Sequence, residues 1–377
     1  MAFPLSAATP SSLGLDPRAL ERLQELITRH LAEGRYPGAQ IAVARDGQLA
    51  LFRTFGEARL EPSRTPARDD SLWLLYSNTK VITACAVWVL AEQGALRFTD
   101  RVAEHVPGFE AHGKGDITIV QLLSHQGGFP NADVPQAAWE DHELLRRTVS
   151  DFTLEWTPGS RVHYHSRAAH WVAAVLIEAL SKTDYRAFIR EQVIEPLGLG
   201  DELFVGLPDA RHERAVDMHE PGAAGPVKRA EENTAAFRRA GTPGGGGYAT
   251  ARAVAAFYQM LAAGGTLDGR RLLSPRLVQY VTRSVTGERV DGYMGMPMHR
   301  ALGPHVRGTT EAIRGLGTIA SPRTFGHGGV GSSYCWADPD SRVSFAYLTN
   351  SRVPDPWHSA RLDVISNAAH AAILSDR

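Results

Sequence analysis

Ser77 and Lys80 stand three residues apart in the stretch YSNTKVITACAVWVL. On a helix that spacing puts both side chains on one face, about one turn apart. A serine hydroxyl is a weak nucleophile near neutral pH and needs a partner to take its proton. A lysine can do so only if its own pKa is lowered. Desolvation against apolar neighbours such as Val81, Ile82 and Ala84 would lower it. The chain has only four lysines, Lys80, Lys114, Lys182 and Lys228, so one at the front of an apolar run calls for a reason. A serine at a helix start also meets backbone N–H groups that favour developing negative charge. The competing reading makes Ser77 a helix cap and carries the Lys80 charge to solvent on its flexible stem. The four-residue motif alone leaves both open.

Other candidates carry less. His163, His165 and His170 suggest a metal, since a strand-like His-x-His shares one face, but no carboxylate cluster accompanies them and no metal site is expected. Cys85 and Cys335 lie in apolar runs and read as small buried thiols rather than a redox pair. The glycines 244–247 have no Lys-Ser/Thr after them, so they are not a phosphate loop. The Gly-x-Ser-x-Gly elbow of α/β-hydrolases is absent from the chain.

The elements that position these residues follow from periodicity. Asp16-Pro17 caps a helix marked by Leu20, Leu23, Ile27 and Leu31, ending at Gly34. Gly38 to Gly56 reads as a hairpin turning at Asp46-Gly47. Near the other end, Gly331–Ala337 and Val343–Thr349 read as strands around the turn 338–341, and His358–Leu374 as a helix. Residues 77–93, 118–124, 139–150, 166–181 and 184–195 read as helices, 206–247 as a long loop, and Ala251–Ala263 as a helix. The fold class is therefore α+β. An antiparallel sheet is built from both chain ends, covered on one face by the terminal helices, and interrupted by a mainly helical insertion. The expected division is 1–76 with 248–377 as one region and 77–247 as the other.

With these segments in place the chain resembles the serine β-lactamase and penicillin-binding-protein superfamily, closest to the class C β-lactamase-like branch with the family VIII carboxylesterases. The resemblance spans about Pro37 to Asn350 and rests on segments in matching order: PGAQIAVARDGQLALFRTFG, YSNTKVITA, LLSHQGGFP, TPGSRVHYHS, the run from Gly246 to Pro275, and FGHGGVGSSYCWADPDSRVSFAYLTN. It implies that Ser77 is the acylated nucleophile and Lys80 its activating partner. It also implies that Tyr164 shares the acid–base work, with the two titrating as a coupled pair and the base left undetermined. A phenol beside an ammonium ion would ionise more easily. The amides of Ser77 and Val330 would form the oxyanion hole. The glycines of His327-Gly328-Gly329 would let a strand approach the substrate. His125 is expected to hold loop backbone.

The chain departs from the family pattern at two positions. Ser166 replaces the asparagine of Tyr-x-Asn, and His327-Gly328-Gly329 replaces Lys-Thr-Gly. Both losses weaken recognition of an acylamido β-lactam with a carboxylate. The resemblance then implies a carboxylesterase for short-chain esters, with a weak β-lactamase, an acyltransferase, an amide or D-peptide hydrolase and an inactive scaffold as alternatives. Tyr76, Phe129 and Trp156, together with Trp73, are candidate walls of an apolar acyl pocket, with His327, Gly328, Gly329 and Ser166 on the substrate. No cofactor is expected. With 43% hydrophobic residues and a net charge of −1, the chain can bury a sizeable core and shows no pull toward nucleic acid or an anionic membrane. The start MAFPLSAATPSSLG lacks the basic and apolar regions of a signal peptide, so a soluble cytoplasmic protein acting on a small-molecule ester is expected. Oligomeric state is not legible.

Overall fold

The computed structural model describes residues 3–311 and 314–376. Asp16 accepts the amide of Arg18 at 2.9 Å and starts helix α1, Pro17–Ala32, whose buried face carries Leu20, Leu23 and Ile27. Strands β1, Gly38–Arg45, and β2, Gln48–Arg59, form the expected hairpin, with Asp46 and Gly47 both at positive φ in the turn. Helix α2 is Thr79–Glu92 and helix α3 is Ala168–Ser181. Helix α4, Ala251–Ala262, is capped by Thr250. Strands β3, His305–Val306, β4, Phe325–Gly328, β5, Tyr334–Asp338, and β6, Val343–Thr349, precede helix α5, Trp357–His370.

The six strands lie in the order β2-β1-β6-β5-β4-β3, each pair antiparallel. Both chain ends meet at the β1–β6 pair, where Val43 faces Phe345. Ser6–Ala7 adds a short parallel strand outside β2.

Side chains alternate across this sheet, and both faces are buried. Ile41, Val43, Trp336, Phe345 and Tyr347 pack with Leu20, Leu23 and Ile27 of α1 and Ile365 of α5. Their neighbours Ala42, Ala44, Cys335, Ala337 and Ala346 join the larger core containing α2 and α4. The second set is small, so α4 lies close, and Ser344 Oγ donates to the Ala255 carbonyl at 2.8 Å. Cys85 and Cys335 are free and buried, as expected.

Several boundaries differ from the sequence reading: the last helix ends at His370 rather than Leu374, and the helix expected from 139 starts at His142. The strand expected from Gly331 starts at Tyr334, because Gly329 donates to the Ser333 carbonyl at 2.8 Å and Gly331 sits at φ 64, which makes a turn. The first helical residue of α2 is Thr79, with Ser77 in a preceding 3-10 turn, Tyr76–Asn78. The segment 206–247 is not a plain loop. It holds a hairpin, His219–Gly222 with Gly225–Lys228, and a helix, Ala235–Ala240, capped by Thr234. Its hairpin strands are exposed and contain Pro and Gly, so no period-2 pattern marks them. Among the described residues no helix is long and apolar enough to cross a membrane.

The close sheet–helix approach generates one expectation. Ala346→Leu would force extra methyl groups between β6 and α4 and should cost about 1–3 kcal/mol. The urea midpoint of the variant reads this directly, and an unchanged midpoint would mean that the layer has room.

Candidate active site

The Ser77 turn is fixed on both sides. Trp73–Leu74 pairs with Gly247–Ala249, and the Leu75 amide donates to the Gly247 carbonyl at 2.8 Å. Tyr76 then takes φ 45, a left-handed conformation that costs a residue with a Cβ roughly 1–2 kcal/mol. Thr79 Oγ1 donates to the Tyr76 carbonyl at 2.6 Å and accepts the Gly247 amide at 2.9 Å. Asn78 Nδ2 reaches the Leu75 carbonyl and Ser333 Oγ, at 3.2 and 2.9 Å. The turn is thereby tied to the glycine run and to the bend after β4.

Lys80 is fully buried, and its Nζ lies 3.0 Å from Ser77 Oγ and 2.6 Å from the Gly244 carbonyl. Among the described residues no carboxylate pairs with it. Burial pulls its pKa well below the ordinary lysine value, and the positive charges of Arg300 and Arg167 push the same way. The Gly244 carbonyl accepts from the amine, and the Ser77 hydroxyl is its other contact. The solvent-exposed reading of Lys80 is excluded by its position. A Cβ at residue 244 would come within 3.2 Å of Nζ, which explains a glycine there.

Tyr164 stands beside this pair. Its ring centroid is 5.2 Å from Lys80 Nζ, and Ser77 is close enough to pull its phenol pKa down. Burial raises the phenol pKa above the ordinary value, although Ser77 and the Arg300 charge pull it down. The expected easing by an ammonium neighbour is not seen: Lys80 is not among the charges that lower the Tyr164 pKa, and burial outweighs the Ser77 and Arg300 contributions. Burial thus lowers the Lys80 pKa and raises that of Tyr164.

Two elements missing from the sequence reading hold Tyr164. Arg300 lies over its ring, 4.8 Å from Cζ to centroid, and pairs with Asp291 at 2.8 Å in full burial. Asp291 Oδ1 accepts the amides of Tyr164 and Tyr293 at 3.2 and 2.9 Å. Burial alone would raise the Asp291 carboxyl, yet the Arg300 charge and these bonds hold it below the usual range. His125 and His165 do the rest. The His165 amide donates to His125 Nδ1 at 3.1 Å, the His163 amide to the His125 carbonyl at 3.0 Å, and the Phe129 amide to His165 Nε2 at 3.1 Å. His125 thus holds backbone, as expected, and His165 is engaged through Nε2 and, at His163 O, through Nδ1. Among the described residues the three-ligand grouping is His142, Glu178 and Asp184, away from these histidines and already paired with Arg186.

A cavity of about 990 Å³ opens over Ser77. Tyr76, Tyr164, Ser166, His327, Gly328, Gly329 and Val330 all line it. The approach of β4 to the Ser77 turn is tight: a Cβ at residue 329 would meet the Leu75 carbonyl at 2.7 Å, and one at 328 would meet the Tyr334 ring at 2.8 Å. Phe129 and Trp156 do not line the cavity. Phe129 is fully buried, edge-on to His165 and beside Phe152, and Trp156 lies half-buried under Arg161. Trp73 is core as well. The apolar lining comes instead from Tyr293, Met294, Met298, Trp139 and Phe237. Sequence carried no signal that these residues meet, because they come from segments far apart along the chain.

The family model described as Beta-lactamase matches residues 23–370. The chain is 29% identical over 348 residues to the esterase/beta-lactamase LipL of Mycobacterium tuberculosis strain H37Rv, covering 84% of this chain and 77% of that protein. Two solved structures superpose over 95% of the chain. One is a penicillin-binding protein homolog from Caulobacter crescentus, with TM-score 0.82, 29% identity and 99% of its own chain covered. The other is a family VIII carboxylesterase, with TM-score 0.81, 28% identity and 98% covered.

The Asp291–Arg300 pair yields an expectation of its own. Asp291→Asn leaves a buried guanidinium without its counter-charge and should cost about 3–5 kcal/mol of stability. The carboxylate's contribution is full above its unfolded pKa of 3.8 and fades as pH falls toward its lower folded value. Thermal melts of both proteins at pH 7 and pH 3 check this: a difference that does not shrink in acid would contradict the assignment.

Proposed function

The chain belongs to the beta-lactamase family, and we propose that within it the protein is a serine carboxylesterase that hydrolyses short-chain carboxylic esters through an acyl-enzyme on Ser77. The observation that carries this reading is the fully buried Lys80 amine, without a carboxylate partner, 3.0 Å from Ser77 Oγ.

In this reading Ser77 Oγ attacks the ester carbonyl as its proton passes to the neutral Lys80 amine. The amides of Ser77 and Val330 hold the oxyanion. The Tyr164 phenol, beside Lys80, delivers a proton to the departing alcohol and recovers one from the Lys80 ammonium. A water then attacks the acyl-enzyme, losing its proton to the amine, and Ser77 leaves with one. Each turnover consumes one ester and one water and releases one acid and one alcohol. Ester rather than β-lactam is favoured by Ser166, whose hydroxyl cannot replace a side-chain amide, and by His327, which is buried where the family places a lysine.

Two outcomes follow. Ser77→Ala should lower kcat for p-nitrophenyl butyrate by about 10⁴-fold or more, and a fluorophosphonate should add its mass to the parent but not to the variant. Retained turnover would remove Ser77 as nucleophile, and a parent that takes no adduct would make the chain an inactive scaffold. Because protonated Lys80 has no lone pair, kcat/KM should fall as pH drops through its depressed pKa and stay level from neutral pH upward until the phenol ionises. A limb centred near 10 would contradict a neutral lysine. Lys80→Met should lose about 10²–10⁴-fold.

A further inference from the structure

Among the large apolar side chains that stay exposed in the described residues, two line the cavity over Ser77: Val330 and Tyr293. Tyr293 is the one aromatic in that set, and it is 60% exposed. Its ring therefore meets the open cavity rather than the core. A single exposed apolar side chain needs no explanation by itself. This one is held beside the reacting groups. Its centroid lies 5.6 Å from that of Tyr164, with 51° between the planes, and 6.1 Å from that of His163.

The backbone fixes the two tyrosines together. Val290–Asp291 and Met296–Pro297 form a short antiparallel hairpin with Tyr293 and Met294 in its tip. Asp291 Oδ1 accepts the amides of Tyr293, Met294 and Tyr164, at 2.9, 3.4 and 3.2 Å. One carboxylate, itself clamped by Arg300, thus places both rings. The Gly292 amide also donates to the Val162 carbonyl at 2.9 Å, which pins the hairpin to the segment carrying Tyr164. A Cβ at residue 292 would meet the His163 ring at 2.8 Å, so only glycine allows that approach. Aromatic pairs are favourable at centroid separations of roughly 4.5–7 Å. The exposed surface of Tyr293 can therefore receive a ligand ring while Tyr164 keeps its place.

Resting on the esterase reading above, in which Tyr164 protonates the departing alcohol, we propose that Tyr293 is a specificity-determining residue. It is a platform for an aryl group on the alcohol side, and it makes esters of arylmethyl alcohols the preferred class. The departing oxygen must come to the Tyr164 phenol, so the carbons that follow it along the alcohol lie near the Tyr293 ring. One methylene is enough to carry an aryl ring there. The acyl part is bonded to the carbon that Ser77 attacks, on the other side of the scissile bond. Met294 and Met298 line the same cavity, and thioethers pack favourably on the edges of aromatic rings.

The test compares kcat/KM for benzyl butyrate and cyclohexylmethyl butyrate, esters of two primary alcohols matched in size. The benzyl ester should be favoured about 2–10-fold, the effect of one aromatic contact. That ratio should fall toward one in Tyr293→Leu and persist in Tyr293→Phe, because stacking needs the ring and not the hydroxyl. The acyl-side pair, ethyl phenylacetate and ethyl cyclohexylacetate, should keep its ratio in Tyr293→Leu. Parity of the two butyrates in the parent overturns the proposal without recourse to any variant. A benzyl preference that survives Tyr293→Leu, or one already lost in Tyr293→Phe, also overturns it, as does a Tyr293→Leu effect confined to the acyl-side pair. Turnover of p-nitrophenyl butyrate and fluorophosphonate labelling of the parent report separately on the esterase reading. A parent positive in both but without the benzyl preference overturns the platform alone, and a parent negative in both overturns the esterase reading and the platform with it.

Discussion

A lysine amine taken out of water with no carboxylate to meet it is the constraint around which this site is built. Charging such a group in a low-dielectric interior is costly, and it relieves the cost by giving up its proton. Lys80 is surrounded by groups that deepen this preference. Val81, Ile82 and Ala84 share its helix and are buried, and the nearest cations, Arg300 and Arg167, oppose a further positive charge. The Gly244 carbonyl holds the amine without charging it. The result is a base three residues from the hydroxyl that needs one.

The same argument separates Arg300 from Lys80. Arg300 has Asp291 at 2.8 Å, and Asp291 also binds the amides of Tyr164 and Tyr293. A guanidinium cannot relieve burial by deprotonating, so it requires its partner. The pair holds Tyr164 in place, and the Arg300 charge adds to the burial that lowers the Lys80 pKa. The sheet contributes rigidity: its small-residue face lets α4 lie close, while Gly328 and Gly329 let the end of β4 come up against the Ser77 turn.

Much of this was legible in sequence. Apolar runs bounded by turn and cap residues located the hairpin, the terminal strands and the helices, because both sheet faces and whole helices are buried. Ser77, Lys80 and Tyr164 were found from short motifs, and the structure brings all three together. What sequence did not carry is long-range and irregular. Asp291 and Arg300 lie in a loop whose pairing has no local spacing rule. Phe129 and Trp156 were placed on the pocket because they neighbour motifs along the chain, but Phe129 turns into the core and Trp156 lies under Arg161. Which of Lys80 and Tyr164 is the base depends on burial, and no motif records burial.

The central claim is the neutral state of one amine, and nuclear magnetic resonance can read it. With four lysines in the chain, lysine labelled at Cε and Nζ gives four signals, and Lys80→Arg identifies one by its loss. The account expects that signal to titrate well below the ordinary lysine value and to remain that of a neutral amine at pH 7. A Lys80 signal that stays that of an ammonium up to pH 10 would contradict it.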